Sequence, residues 1–453
     1  MSSKTFIDLG VPARIAAVLS AQGIDTPFPI QVDSLPDTLA GRDVLGRGKT
    51  GSGKTLAFGI PMVARLAVSS NNNHGMRKPR GLVLAPTREL ATQITNALQP
   101  LANAMNLRVT TIFGGVPQKK QVQALRDGVE IIVATPGRLE DLMAQGILKL
   151  DAIEITVLDE ADHMADLGFL PGVTRILNAT PRGGQRLLFS ATLDNGVKKL
   201  VDKFLQNQVM HAVDEANSPV TQMTHHVLEA SDAEAKKRLV YALASGTGRR
   251  ILFMRTKHHA KKLAKALTQA GIPAVDLHGN LSQAARDRNL EAFSAGRARV
   301  LVATDVAARG VHVDGVDLVI HVDPPAEHKA YLHRSGRTAR AGASGDVVTI
   351  SLPTQRKDLS DLLSKAKISV KPKSVTEKSP EVIALIGEVA EYVKPTAPTA
   401  QPRKTGASTG RNAQRKRALS ESGKPQNQQS RAPGSRPHSQ GATNGSRRRQ
   451  NSR

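Results

Sequence analysis

Residues 48–55 restrict the fold of this chain more than any other stretch. They read Gly-Lys-Thr-Gly-Ser-Gly-Lys-Thr, which fits the pattern G-x-x-x-x-G-K-[ST], and they lie between a strand-like run at 43–45 and a helix-like run at 56–60. In that context the backbone N–H groups surround a phosphate and the helix start adds positive potential. We expect Lys54 to reach the terminal phosphates and Thr55 to offer its hydroxyl to magnesium. A flexible turn is the alternative.

A second motif, Asp-Glu-Ala-Asp at residues 159–162, follows an apolar, β-branched run at 153–158 that is typical of a buried parallel strand. Ligands of open α/β sheets bind at the carboxyl ends of the strands. There Asp159 can hold a magnesium ion while Glu160 orients a water molecule. Alone, the acids could equally stop the strand and cap the next helix, but the phosphate loop upstream favours the magnesium site.

Strand-like and helix-like runs alternate along most of the chain, which predicts parallel sheets flanked by helices, an α/β fold. In the first half the strand-like runs are 81–85, 109–113, 130–134, 153–158 and 185–189. In the second half they are 225–228, 250–254, 274–277, 299–303, 318–322 and 346–350. The second series has no phosphate loop, so we expect it to complete the site of the first.

The pattern also divides the chain into domains. We predict a phosphate-binding sheet domain over residues 1–207 and a linker around Pro219 over 208–222. A second sheet domain is predicted over 223–370, after which the sheet pattern stops. A short amphipathic helix is expected within 371–393, where Val382, Leu385, Ile386 and Val389 have helical spacing.

Residues 394–453 are predicted to be a disordered basic tail, because they hold almost nothing apolar. From 401 to 453 there are 13 Lys or Arg against the single acid Glu421, about half of the net charge of +24. Such a charge favours a polyanionic partner. Bulky apolar residues do not alternate with the charges, so no membrane-binding face is expected.

The composition excludes several classes of protein. There is no cysteine, and disulfides, thiolate nucleophiles and zinc-thiolate sites are therefore excluded. No apolar run is long enough to span a bilayer, and the first residues lack a hydrophobic signal core. We therefore expect a soluble cytoplasmic protein.

Further short motifs follow the predicted strands. They are Pro-Thr-Arg-Glu-Leu at 86–90, Gly-Gly at 114–115, Thr-Pro-Gly-Arg at 135–138, Ser-Ala-Thr at 190–192 and His-Arg-Ser-Gly-Arg-Thr-Ala-Arg at 333–340. Over about residues 5–370 the ordered series resembles the DEAD-box ATP-dependent RNA helicases of the bacterial, RhlE-like type. The resemblance implies two tandem RecA-like domains that use ATP and Mg²⁺ and bind RNA with little sequence specificity.

The resemblance also implies that residues 1–207 are an ATP-binding domain with an N-terminal adenine-recognition segment, and it implies which residues contact ATP. They are Phe6, Gln31, Gly48, Lys49, Thr50, Gly51, Ser52, Gly53, Lys54, Thr55 and Asp305. Gln31 would pair with the adenine edge and Phe6 would stack on its face; without the family, Phe6 is a core residue. Three positions depart from the family pattern: Ile24 replaces an aromatic residue, Phe28 a small hydroxyl residue and His312 an acid that contacts the ribose. A histidine at 312 adds pH sensitivity or is a neutral hydrogen-bonding substitute.

Two further groups of residues come from the same resemblance. The implied RNA contacts are Pro86, Thr87, Arg88, Gly114, Gly115, Thr135, Arg138, Arg255, Thr256, Gln283, Arg286 and Thr304. The residues implied to couple nucleotide state to RNA state are Asp162, Ser190, Thr192, His333 and Arg334. As isolated tripeptides the first-domain motifs would be turns and caps; their order after successive strands favours the functional interpretation.

Arg337 and Arg340 are the expected arginine fingers, because a guanidinium stays ionised and its planar donors suit the charge on a transferring phosphoryl group. A basic helix start that faces solvent is the alternative. The predicted activity is ATP hydrolysis coupled to local, non-processive RNA unwinding or ribonucleoprotein remodelling, with Lys54, Asp159, Glu160 and both arginines as the catalytic set.

Two other functions remain open at this stage. One is an RNA chaperone that anneals strands through its tail and uses the nucleotide site as a clamp; the complete catalytic set argues against it. The other is a DNA translocase on the same twin-domain core, which the adenine-reading segment and the Asp-Glu-Ala-Asp motif disfavour. Ribosomal or RNA-degradation proteins are the protein partners expected for the tail.

Overall fold

The computed structural model describes residues 4–48, 51–69, 78–212, 223–308, 311, 313, 315–339 and 344–395. Several positions of interest in the sequence lie outside these ranges. They are Lys49, Thr50, His312, Arg340, residues 213–222 of the predicted linker and residues 396–453 of the predicted tail. The two sheets described below belong to one compact unit that ends at Pro395.

The first sheet has seven strands, all of them parallel. They are β1 Val44–Arg47, β2 Gly81–Leu84, β3 Val109–Ile112, β4 Ile131–Ala134, β5 Ile155–Leu158, β6 Gln185–Ser190 and β7 Val209–Ala212. Their order across the sheet is β3-β4-β2-β5-β6-β1-β7. Every residue of β2, β4, β5 and β6 is buried, because helices cover both faces of a parallel sheet.

Nine helices, all within the described ranges, flank this sheet. They are α1 Ala13–Ala21, α2 Pro29–Leu39, α3 Lys54–Ser69, α4 Arg88–Ala104, α5 Gln118–Arg126, α6 Pro136–Ala144, α7 Ala161–Asp166, α8 Leu170–Asn178 and α9 Asn195–Phe204. Helices α1 to α4 pack on one face of the sheet and α5 to α9 on the other. Successive strand side chains alternate between the faces: in β5, Val157 joins the first core and Leu158 the second.

The second sheet repeats this arrangement. Its strands are β8 Met223–Glu229, β9 Arg249–Phe253, β10 Ala274–Leu277, β11 Val300–Ala303, β12 Val316–His321, β13 Gly345–Ser351 and β14 Pro372–Ser374. The order β10-β11-β9-β12-β13-β8-β14 matches the first sheet strand for strand, with β8 in the place of β1 and β14 in the place of β7. The predicted fold class, two tandem α/β domains with parallel sheets, is thereby confirmed.

Seven helices and one short 3-10 turn accompany the second sheet in the described ranges. The helices are α10 Ala233–Ala244, α11 Lys257–Gln269, α12 Gln283–Ser294, α13 Asp305–Ala308, α14 His328–Ser335, α15 Arg356–Lys365 and α16 Pro380–Ile386. The turn is Pro353–Gln355. In the described part of the chain, no helix combines the length and the apolar character that a membrane crossing requires.

The edges of both sheets correct the sequence prediction. Strand β7 lies at the start of the predicted linker, and β14 lies beyond residue 370, where the sheet pattern was expected to stop. Both are edge strands that pair with one neighbour, and all three residues of β14 are exposed. β14 has no apolar residue, and the apolar residues of β7 are interrupted by His211, so neither sequence gives a clear strand signal.

The helix expected within 371–393 is present as α16, which is shorter than the apolar spacing indicates. It ends at Ile386 because Gly387 has a φ of +66°, a conformation that suits glycine at a helix end. Val389, counted with the helix in the sequence, instead forms an antiparallel bridge with Gly246. The segment after α16 therefore returns to the second sheet domain.

Candidate functional site

The order of the strands in the first sheet brings three sequence motifs side by side. Strands β5, β6 and β1 are neighbours, and residues 159–162, Ser190 and the phosphate loop follow their respective carboxyl ends. Arg47 at the end of β1 pairs with Ser190 at the end of β6. Because parallel strands end at one edge of the sheet, motifs more than a hundred residues apart in the chain share that edge.

The phosphate loop connects β1 directly to α3, which begins at Lys54. Gly51 and Gly53 have φ values of +89° and +88°, which side chains with a Cβ rarely adopt. Lys54 is buried, and its Nζ donates to the carbonyl of Gly48 at 2.5 Å. The Oγ of Ser52 is buried without a hydrogen-bond partner among the described residues, which is expected of a group reserved for an anion.

Gln31 is fully buried and holds the phosphate loop from the side. Its Nε2 donates to the carbonyl of Gly53 at 2.8 Å, and its Oε1 accepts from the N–H of Phe28 at 2.9 Å. The amide proposed to read adenine is therefore bonded at both ends within the chain. Phe6 lies in the core of the first domain with 3% of its surface exposed. In this structure it is a core residue, which was the alternative interpretation, and no face is open for stacking.

Asp159 directly follows β5 and is buried. Burial raises the pKa of Asp159 to about 7, with the charges of Glu160 and Asp162 adding to the effect and Lys54 opposing it. Its Oδ1 accepts from the N–H of Glu160 at 3.0 Å, and its Oδ2 has no hydrogen bond within the described ranges. A nearby cation would relieve this cost of ionisation.

The donor set fits a magnesium ion. Among the described residues no group of three or more His, Cys, Asp or Glu could hold a metal ion. Magnesium in nucleotide sites is usually bound by one or two protein oxygens together with phosphate oxygens and water, not by a cage of side chains. Asp159 and the hydroxyl of Thr55, at the start of α3, supply oxygens of that kind.

Glu160 has a left-handed backbone, with φ 50° and ψ 52°, directly before α7. Such a conformation is uncommon for a residue with a side chain and is often found at functional sites. Burial raises the pKa of Glu160, but the hydrogen bond from His163 and the charges of His163, Arg337 and Lys54 outweigh burial and hold the pKa well below its usual range. The carboxylate is therefore ionised and can accept a hydrogen bond from water.

Asp162, Ser190 and Thr192 form a closed hydrogen-bond network between the ends of β5 and β6. Oδ2 of Asp162 accepts from the N–H and the hydroxyl of Thr192, at 2.9 and 3.0 Å. The Oγ of Ser190 accepts from the N–H of Asp162 at 3.2 Å and donates to the carbonyl of Thr192 at 2.7 Å. The network ties the acidic motif to the Ser-Ala-Thr motif, as the predicted coupling role requires.

Arg337 brings the second domain into the site. With His333 it lines a small cavity of about 30 Å³ whose other walls are Lys54, Glu160, Asp162, His163 and Ala191. Arg337 is buried, and its Nη1 and Nε donate to the carbonyls of Val311 and His333 at 2.6 and 3.2 Å. Burial lowers the pKa of Arg337 while the charge of Glu160 raises it. One predicted arginine finger thus faces the predicted phosphate site.

Arg334 and Asp305 bind each other within the second domain. Nη2 of Arg334 donates to Oδ2 of Asp305 at 2.8 Å, Nε donates to the other carboxylate oxygen, and Nη1 donates to the carbonyl of Asp323 at 2.7 Å. The guanidinium also lies over the ring of Phe253, 5.1 Å from its centroid. Asp305, predicted to contact ATP, is therefore part of the support for α14.

The predicted RNA contacts lie where strands end, and several of them also cap helices. Thr87 and Thr256 accept hydrogen bonds at the starts of α4 and α11, from the N–H groups of Leu90 and His259 at 3.2 and 3.3 Å. The remaining ones after strands are Pro86, Gly114, Gly115, Thr135, Arg138, Arg255 and Thr304. Arg88 lies against Gly115, where an added Cβ would come within 2.1 Å of its Nη1.

Glu89 joins the two sheet domains, a role that the sequence reasoning missed. Its Oε1 accepts from Nε of Arg286 at 2.5 Å and from Nε2 of Gln283 at 3.2 Å, and Arg88 donates to Oε1 of Gln283 at 3.3 Å. Glu89, Gln283 and Arg286 are all buried. Residues expected to contact RNA from different domains are therefore bonded to each other here.

A second bridge between the sheets was also missed. Nζ of Lys329, on α14, lies 3.0 Å from Oδ2 of Asp194, the residue that caps α9, and 3.9 Å from Asp166. The hydrogen bond with Asp194 is the main cause that raises the pKa of Lys329. Neither Lys329 nor Asp194 belongs to a short motif. The sequence offered one indication: Lys329 lies four residues before His333 and therefore on the same face of α14.

Family models match both sheet domains. The model described as DEAD/DEAH box helicase matches residues 28–200, and the one described as helicase conserved C-terminal domain matches residues 234–342. The two matches include every motif described above except Phe6.

Curated relatives include plant and bacterial proteins. The chain is 40% identical over 347 residues to DEAD-box ATP-dependent RNA helicase 53 of Oryza sativa subsp. japonica, covering 76% of this chain and 57% of that protein. It is 36% identical over 352 residues to DEAD-box ATP-dependent RNA helicase CshA of Geobacillus kaustophilus, covering 78% and 74%. The chain spans 54 to 57% of the length of three rice and Arabidopsis relatives.

A solved structure has the same fold. Dbp5 of S. cerevisiae, bound to RNA and ADP BeF3, superposes with a TM-score of 0.73 at 28% sequence identity, covering 85% of this chain and 100% of that one. The agreement extends over both sheets.

Proposed function

The chain belongs to the DEAD/DEAH box helicase family, and on that premise we propose that it is an ATP-dependent RNA helicase. Its proposed activity is RNA-stimulated hydrolysis of ATP, coupled to local, non-processive separation of short RNA duplexes or to remodelling of ribonucleoprotein. One observation carries the proposal: Lys54 and Glu160 from the first sheet domain and Arg337 from the second line one cavity.

Three residues of the cavity have tasks in the proposed phosphoryl transfer, where catalysis is mainly positioning and electrostatic stabilisation. Lys54 binds the terminal phosphates, which draw its Nζ away from the carbonyl of Gly48. Glu160, ionised, accepts a hydrogen bond from the attacking water and orients it. Arg337 stabilises the charge that develops on the transferring group.

Thr55 and Asp159 would hold magnesium. The ion, when bound, supplies positive charge that neutralises the phosphates. The chain's own contribution is to keep a carboxylate and a hydroxyl at the end of β5 and the start of α3.

The contacts between the sheets explain how RNA would stimulate turnover. Arg337 reaches the phosphate site only when the two domains meet, and the bonds of Glu89 to Gln283 and Arg286 hold them together. RNA that contacts both domains favours the same arrangement, so ATP and RNA should bind with positive coupling. Contacts to phosphates and 2'-hydroxyls carry little sequence information but distinguish RNA from DNA.

The test is ATP turnover measured with RNA, with DNA and with no nucleic acid. Stimulation by RNA alone supports the proposal. Stimulation by DNA would favour a translocase on DNA, and binding or annealing of RNA with no turnover would favour a chaperone that uses the nucleotide site as a clamp.

Three finer assignments are also proposals. We propose the bacterial, RhlE-like branch of the family; the bacterial relative at 36% identity supports the bacterial part, and a phylogenetic tree of the two sheet domains tests the branch. A cytoplasmic location rests on the absence of cysteine and is tested by cell fractionation. Ribosomal or RNA-degradation proteins are proposed to bind residues 394–453, and affinity capture with and without those residues tests that assignment.

A further inference from the structure

His163, the residue that follows the Asp-Glu-Ala-Asp motif, is buried in the candidate site. Its side chain is 6% exposed, and its Nδ1 lies 3.0 Å from Oε2 of Glu160. Its ring lies 6.2 Å from the ring of His333, which the second domain supplies. His163 therefore touches the residue that orients water on one side and the partner domain on the other.

The contact between Nδ1 of His163 and Oε2 of Glu160 is a hydrogen bond in which the imidazole donates, because a carboxylate oxygen accepts. Nδ1 of His163 therefore carries a proton. Nε2 is buried with no hydrogen-bond partner among the described residues. Because Nε2 makes no hydrogen bond, the hydrogen bond from Nδ1 to Glu160 is the polar contact that orients the buried ring.

Glu160 needs such a contact because little else restrains its carboxylate. Its side chain has three rotatable bonds. The hydrogen bond that its backbone N–H donates to Asp159 does not fix the position of the carboxylate. Within the described ranges, the hydrogen bond from His163 is the one that its carboxylate receives, and Oε1 remains available to a water molecule. Glu160 directly precedes α7 and His163 lies in the first turn of that helix, so the two side chains meet at the helix start.

We propose that His163 is a positioning residue: it donates from Nδ1 to Glu160 and fixes the carboxylate for the attacking water, and His333 packs against it when the sheets close. The proposal rests on the proposed function, because Glu160 orients water only if the site hydrolyses ATP. Closure thereby affects hydrolysis through two residues at once, Arg337 on the transferring phosphate and His333 on the ring that holds Glu160.

The test separates the hydrogen bond from the packing of the ring. His163→Asn places an amide N–H at the position of Nδ1, and His163→Leu has nearly the same shape without a donor. We expect His163→Leu to lower kcat for RNA-stimulated hydrolysis about ten- to a hundredfold, the usual scale for loss of alignment, and His163→Asn to stay within about threefold of the wild type. KM for ATP and RNA affinity should hardly change in either variant, because the proposed role of the ring is to align Glu160 in the transition state and not to bind ATP or RNA.

His211→Ala is the matched control. It removes another histidine–carboxylate contact of the first domain, the 2.8 Å pair of His211 with Asp37 at the outer edge of the sheet. Its kcat should equal that of the wild type. Equal losses in His163→Leu and His163→Asn would mean that the intact ring matters for packing, and a normal kcat in His163→Leu would mean that Glu160 needs no support; either result overturns the proposal.

Two further measurements complete the test. In the double variant, kcat should fall by less than the product of the fold-losses of His163→Leu and His333→Ala, because both substitutions act on one carboxylate. A double-variant loss equal to that product would remove His333 from the proposal. Imidazole ¹⁵N NMR should show His163 protonated at Nδ1, and a His163 ring without a proton on Nδ1 would overturn the proposal without any reference to turnover. Failure of the proposed function is a separate result: the wild type itself would then show no RNA-stimulated hydrolysis.

Discussion

Asp159 and Glu160 are adjacent residues whose surroundings move their pKa values in opposite directions. Burial raises the pKa of Asp159 to about 7. Burial also raises the pKa of Glu160, but His163, Arg337 and Lys54 together hold it below its usual range. Two neighbouring carboxyl groups whose pKa values differ this much can have different roles in one site, because they are not ionised over the same pH range. Glu160 is ionised, which suits its proposed role of orienting water, whereas Asp159 needs a cation beside it to be fully ionised near neutral pH.

These assignments predict that Lys54→Ala and Glu160→Gln fail differently. Loss of the lysine removes a charged donor from the phosphates and should weaken ATP binding by about 1.5–3 kcal/mol. Glutamine keeps the shape of Glu160 but not its charge, so kcat should fall about 10²- to 10⁴-fold while ATP still binds. Nucleotide titration and single-turnover hydrolysis measure the two effects, and ATP-bound complexes on RNA should accumulate in Glu160→Gln. Equal loss of ATP binding in both variants would contradict the roles.

Arg337 should matter to the transition state more than to the ground state. Arg337→Ala is expected to lower RNA-stimulated kcat about a thousandfold, the scale of arginine fingers, with a smaller change in ATP affinity. Arg175→Ala, which removes an exposed ion pair with Glu140 in the first domain, is the control and should leave kcat unchanged. Near-normal turnover in Arg337→Ala would remove this residue from the site.

At the scale of elements, two helices connect the sheets. Glu89 lies in the first turn of α4, and Gln283 and Arg286 lie in the first turn of α12, so the bonds between them join one helix start to another. Arg286 also donates to the carbonyl of Ala307 at 3.1 Å. The pair of Glu89 and Arg286 is buried, and the two groups depend on each other because a buried charge without its partner is costly.

Glu89→Ala should therefore destabilise the closed arrangement by about 3–5 kcal/mol, the usual cost of breaking a buried pair. The RNA concentration for half-maximal ATPase should rise strongly, because RNA must then supply the missing free energy of closure. Glu140→Ala is the matched control, since its ion pair with Arg175 is exposed and lies within one domain. An unchanged half-maximal RNA concentration in Glu89→Ala would show that the bridge contributes nothing to closure.

At the scale of the whole molecule, two copies of one sheet arrangement perform different tasks. The first domain carries the phosphate loop between β1 and α3, and the second domain has no such loop but brings Arg337 and His333 to the same cavity. Because the proposed catalytic set is divided between the domains, the proposed hydrolysis requires their closure. A ligand that spans both domains can then control the rate without touching the reacting atoms.

Deletion of residues 396–453 should weaken RNA binding without affecting chemistry. This segment contains 13 Lys or Arg and one acid, and every residue of the cavity lies before it. We expect a higher RNA concentration for half-maximal ATPase and a slope of log K against log salt that is smaller by about 0.7 for each RNA phosphate that the segment neutralises. At saturating RNA, kcat should stay within about twofold.

Titration of RNA-stimulated ATPase at several salt concentrations makes this measurement. If RNA affinity and its salt slope are the same with and without the segment, the segment serves a protein partner instead. If turnover is lost even at saturating RNA, the segment belongs to the catalytic machinery.

Local patterns in the sequence determined the fold class and the first-domain motifs. The glycines and Lys54 of the phosphate loop, and the acids after an apolar run, are recognisable because backbone conformation and strand burial impose their residue types directly. Alternating apolar runs likewise indicated both parallel sheets. The edge strands β7 and β14 were not predicted, because β14 is exposed and has no apolar residue, and β7 is only partly buried and its apolar residues are interrupted by His211.

Only the tertiary structure decided which of these residues meet. Nothing local marks Glu89 as the partner of Arg286, Lys329 as the partner of Asp194 or His163 as the donor to Glu160. The same holds for Phe6, whose ring was expected on adenine and lies in the core, and for Gln31, whose amide bonds to the phosphate loop. A side chain's type limits the bonds it can form, but its partner is set by strand order and domain contact, which bring together residues far apart in the chain.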